Sequence, residues 1–120
     1  MKNKNPLRII RIGLALVFLA NALTAFFSPQ EFRILIEQSF LANLLPISTS
    51  ALVWIIGVND LLLTLLILFK RFQKYVLIWA MLWLIAVIIL TKELSAILEH
   101  LGFFSMALTL WVERKRLDTV

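Results

Sequence analysis

The sequence predicts an all-α integral membrane protein: a four-helix bundle with both termini cytoplasmic and a short amphipathic helix between the first and second spans. Three observations predict it. Hydrophobic residues make up 62% of the 120 positions and the mean hydropathy is +0.95, whereas soluble domains hold about 45–50% apolar residues. The apolar residues fall into four runs, each approaching the length needed to cross a bilayer. Charge collects at the ends of those runs. The N-terminal segment, the 70–74 turn and the C-terminal tail hold ten Lys and Arg, against two in the 28–46 segment and the 92–93 turn. The positive-inside rule puts the ten in the cytoplasm. One transmembrane domain over 1–120 is expected, with spans at about 8–27, 48–69, 75–91 and 94–112 and an interfacial segment at about 29–45.

The first apolar run, Ile12 to Phe27, is short for a span. Its sixteen residues reach about 24 Å at about 1.5 Å each, against a hydrocarbon core of about 30 Å. Pro29 blocks extension at one end, so the helix must recruit the turn from Leu7 to Arg11 at the other, drawing Arg11 into the core to snorkel or meet an acid. Ala20, Asn21 and Ala22 fit a small-x-small cleavage site, but the apolar run continues past them, and a retained span is expected.

Between Ser28 and Pro46, Phe32, Leu35, Ile36, Phe40 and Leu44 recur at spacings of three and four, with Glu31, Arg33, Glu37 and Gln38 mostly elsewhere on the wheel. This predicts an amphipathic helix that lies in the interface or caps the bundle, read as a connector rather than a substrate lid. Ser48, Thr49 and Ser50 offer capping hydroxyls for the second span. Lys70, Arg71 and Lys74 form a basic turn, and the third span follows from Tyr75 to Thr91 with no Asp, Glu, Lys, Arg or His. Its Trp79 and Trp83 are expected to pack or to face lipid. After Lys92 and Glu93 the fourth span runs from Leu94 to Val112.

The absence of cysteine excludes disulfides, thiolate metal sites and thiol redox chemistry. The net charge of +5 reports topology, not nucleic acid binding, because the cations sit at span ends. A lone His100 gives no metal site and cannot supply two axial haem ligands.

In lipid, small and polar residues show which helix faces meet. The first span offers Gly13, Val17, Ala20 and Thr24, with Asn21 beside them, and the second offers Ser50, Gly57, Asp60 and Thr64. In the fourth, Ser95, Glu99, Gly102, Met106, Thr109 and Glu113 form a stripe. These three faces are expected inside, the third span being a plain packing partner. Asp60 lies about 20 Å from one end of its helix and about 14 Å from the other. An acid at that depth needs a partner, a proton or water, and Arg11 is the partner expected, with Asn59 or Thr64 completing the hydrogen bonds. Asn21, Glu99 and His100 form a shallower polar level. Adjacent residues point about 100° apart, so Glu99 is expected inward and His100 at a helix interface. No catalytic residue is assigned.

The segments RIGLALVFLANALTAFFSP, from Arg11, and IGVNDLLLTLLILFKRF, from Ile56, resemble the DoxX-like family of small four-helix membrane proteins. The likeness covers about residues 8 to 92. Gly57-Val58-Asn59-Asp60 stands where the family has Gly-x-x-Glu, with Asp for Glu, and Arg11 stands for the family arginine. Ala20-Asn21-Ala22 replaces the family's common glycine followed by lysine, and the late Gly/Pro-rich segment is absent. The resemblance implies a four-helix membrane protein, some members being subunits of quinone-reducing enzymes such as thiosulfate–quinone oxidoreductase. The expectation is an accessory, non-catalytic subunit linked to a quinone-dependent or envelope-stress system, requiring no cofactor and working beside a membrane or redox partner protein. One alternative is a quinone-binding subunit of a membrane oxidoreductase. The other is a small proton-coupled transporter, which would have to be a homo-oligomer, since four helices are few for alternating access.

Overall fold

The computed structural model describes residues 5–38, 48–69, 72–90 and 94–114, and the described chain is helical. The helices are α1 (Asn5–Phe27), α2 (Gln30–Glu37), α3 (Thr49–Leu68), α4 (Gln73–Leu90) and α5 (Leu94–Val112). All but α2 are long and apolar enough to cross a membrane. Phe40 and Leu44, expected on the amphipathic segment, lie outside the described residues.

α1 takes the extension that its short apolar run required. It starts at Asn5 with Pro6 in its first turn, where a missing N–H costs nothing. Its 23 residues reach about 34 Å. The Ser28 amide closes the last turn on the Thr24 carbonyl at 2.8 Å, and Pro29 opens α2. Ser48 caps α3, its side chain accepting from the Ala51 amide at 3.2 Å.

Each span buries one seam at steps of three and four, the spacing of left-handed bundles. On α1 the seam is Leu7, Arg11, Leu14, Phe18, Ala22 and Ala25, and on α3 it is Val53, Gly57, Asp60, Thr64 and Ile67. α4 buries Gln73, Leu77, Ala80 and Leu84. α1 packs chiefly along α3 and α4 chiefly along α5, and α1 also meets α5. The opposite faces expose Ile9, Leu16, Leu23, Leu62, Leu82 and Leu98, the surface a lipid solvent accepts. Phe69, Phe72 and Tyr75 are exposed together where α3 gives way to α4, in the manner of an interfacial aromatic belt.

α5 differs from the expected orientation. Ser95, Glu99, Gly102 and Thr109 are exposed, and a Cβ added at Gly102 would meet nothing within 4 Å. The buried seam is the neighbouring one, through half-buried Ala96, His100 and Phe103 to buried Ala107 and Leu110. The helix is turned by one residue, about 100°. Alanine explains the difference. Ala96 and Ala107 let a neighbour approach as closely as glycine or serine does, so the small-residue rule fits both stripes equally well.

Candidate functional site

The α1–α3 contact is close at Gly57. A Cβ built on Gly57 would lie 2.7 and 2.9 Å from Cε1 and Cζ of Phe26 and 3.2 Å from the Ala25 Cβ. Phe26 in turn stands edge-on to Trp54, with ring centroids 5.3 Å apart. Seven residues along α3, the Thr64 hydroxyl lies 2.8 Å from the Asp60 carbonyl and 3.4 Å from the Ala15 carbonyl of α1. These contacts fix an antiparallel register and bring Asp60, 1% exposed, level with Phe18 and Ala22.

The carboxylate of Asp60 ends two hydrogen-bond paths that both begin at tryptophans of α4. The Trp79 indole donates to Asn59 Oδ1 at 2.9 Å, and Asn59 Nδ2 donates to Asp60 Oδ1 at 3.2 Å. The Trp83 side chain also hydrogen-bonds Asp60. An indole N–H can only donate, so the orientation of the Asn59 amide is set, and Asp60 accepts from both sides. The third span is therefore not a plain packing partner: it supplies the donors that make a buried acid tolerable. A signal for this was present. With α3 ending at Leu68 and α4 beginning at Gln73, an antiparallel pair places 59–60 level with about 79–83, and a mid-span tryptophan needs an acceptor.

Arg11 is 4% exposed. The Ala15–Thr64 register sets it about 12 Å from Asp60 along the helix axis, four residues to one side against four to the other. A contact between them would have to run along the α1–α3 seam, not straight across it.

Beyond Asp60, toward α2, the seams part around a cavity of about 360 Å³. Phe32, Leu35 and Ile36 of α2 roof it, and Ile36 is buried against Ala25 and Val53. The apolar face of α2 is thus a wall of the cavity, while Glu31, Arg33, Glu37 and Gln38 face out as expected. Arg33 Nη2 donates to Ser50 Oγ at 2.8 Å and ties the roof to the start of α3. Phe18, Asp60, Trp83 and Leu84 lie at the deep end, and Leu52, Ile56 and Val87 line the sides.

Asn21 and His100 complete the polar lining. The two polar levels expected from the sequence thus meet across one cavity, through Asn21 and His100 but without Glu99. His100 Nδ1 lies 2.8 Å from the Ala96 carbonyl. A carbonyl only accepts, so Nδ1 carries a proton and Nε2 of the neutral ring is an acceptor. His100 also stands edge-on to Phe103 at 5.6 Å. Thr24 is satisfied on its own helix, donating to the Ala20 carbonyl at 2.9 Å. Among the described residues no group of three or more His, Cys, Asp or Glu side chains is placed to hold a metal ion.

No family model, curated protein or solved structure matches this chain.

Proposed function

We propose that this chain is a DoxX-like multi-pass protein of the cytoplasmic membrane that holds one small hydrophobic molecule between its helices and serves as a ligand-binding accessory subunit of a larger membrane system. The observation that carries the reading is the cavity. Its volume of about 360 Å³ falls in the range of small-molecule sites, about 300–1,000 Å³. An apolar lining with a few convergent polar groups is the usual make-up of such sites, and Asp60, Trp83, Asn21 and His100 converge here. The alternative of a quinone-binding subunit draws on the same cavity, whose Phe18, Phe32 and Trp83 suit a flat ring.

In this arrangement the four long helices cross the bilayer as one bundle, both termini are cytoplasmic, and α2 lies at the outer surface. Reporter fusions at Lys74 and Val120 read cytoplasmic and one at Gln38 reads external; an external signal at Val120 overturns the topology.

Binding is tested by purifying the chain from its native membrane, extracting bound lipids and identifying them by mass. One hydrophobic molecule is expected in near-equal amount with the protein, and much less with Ala96→Leu, which takes up part of the cavity. Equal recovery from the two proteins, or none from either, contradicts the reading.

A further inference from the structure

We infer that the ligand class is a lipophilic cation, an aryl-alkyl ammonium whose charged head rests on Asp60 and whose ring lies among Phe18, Phe32 and Trp83; this rests on the cavity being a binding site. The inference comes from counting what the polar lining can still donate and accept. Beside an ammonium Asp60 is held ionised, and an ionised carboxylate has about four acceptor sites and no donor. Asn59 and Trp83 take two of them, and both of those N–H groups are thereby occupied. The Asn59 oxygen is occupied by Trp79. His100 donates its Nδ1–H to the Ala96 carbonyl, which leaves only Nε2 for the cavity. Asn21 alone can offer either kind of group.

The cavity is therefore rich in acceptors and poor in donors. A quinone carbonyl needs donors, and finds one amide. An ammonium brings three donors and a charge to a site with acceptors to spare. Aromatic faces in the same lining favour a cation further. The charges above agree in sign. The outer face of α2 exposes Glu31 and Glu37 against Arg33, which is engaged with Ser50. Arg11, the buried cation of α1, is not among the lining residues and lies beyond Asp60, away from the cavity.

The test compares three probes on the full chain in detergent micelles by calorimetric titration: 4-phenylbutylammonium, its neutral isostere 4-phenylbutan-1-ol, and a short-tailed benzoquinone. The ammonium is expected to bind about ten- to a hundredfold tighter than the alcohol, the margin of a hydrogen bond to a charged group. Asp60→Asn should abolish that margin while the alcohol still binds. Should Asp60→Asn not fold, the wild-type ratio decides alone, with Ala96→Leu expected to weaken both probes. Equal binding of ammonium and alcohol, or tightest binding by the benzoquinone, overturns the cation assignment and leaves the cavity reading standing. Binding of none of the three overturns both.

Discussion

Gly57→Leu is expected to separate α1 from α3 and to cost more than about 3 kcal/mol, the upper part of the overpacking range. The single methyl of Gly57→Ala already meets the Phe26 ring at 2.7 Å and the Ala25 Cβ at 3.2 Å. Phe26 is half-buried and rests on Trp54, so its ring can swing aside at the loss of that edge-on contact. Gly57→Ala should therefore cost only about 1–3 kcal/mol. A leucine has no such outlet, because the atoms behind the ring belong to α1. Denaturant unfolding in mixed micelles would measure both. Combining Gly57→Ala with Phe26→Ala should recover most of the loss, since the clash and the group that clashes are removed together. Additive losses would show that α1 and α3 do not meet at this position.

The second large effect concerns Asp60. Asp60→Leu removes the acceptor from two N–H donors, Asn59 Nδ2 and the Trp83 indole. A buried donor left without a partner costs about 1–3 kcal/mol, so the substitution should cost about 2–6 kcal/mol. Replacing every member of a hydrogen-bonded set with apolar groups of similar shape is close to neutral. Asp60→Leu with Asn59→Leu, Trp79→Phe and Trp83→Phe, which leaves no indole without its acceptor, should then be more stable than Asp60→Leu alone.

Much of this organisation was legible in the residues. Hydropathy located the four long helices because lipid-facing spans have few other ways to be built. The shortfall of Ile12 to Phe27 predicted that α1 would reach back past Arg11, and it does. Burial of Asp60 and Thr64 followed from their place on the 4-3 seam that Gly57 begins. The rotation of α5 was not legible, because Ala96 and Ala107 compete with Ser95, Glu99 and Gly102 for the rule that small residues face inward. Glu99 drew the reading toward its own face, although helical side chains lean toward the N-terminus and an acid five residues from Leu94 can reach for the membrane surface. The role of Trp83 lies in its N–H, which demands an acceptor, and not in its bulk, which any packing or lipid-facing position would accept. The cavity itself needs α2 folded over the long helices, a long-range arrangement that no local pattern contains.

The central claim is that Asp60 is an acceptor held by the tryptophans of α4 at the floor of a cavity. The most direct measurement is the unfolding free energy of Asp60→Leu in two backgrounds. Stability should return when Asn59→Leu, Trp79→Phe and Trp83→Phe are added, and should not return when Arg11→Met is added instead. Recovery with Arg11→Met and none with the α3–α4 changes would contradict the account, and would make Arg11 the partner on which Asp60 depends.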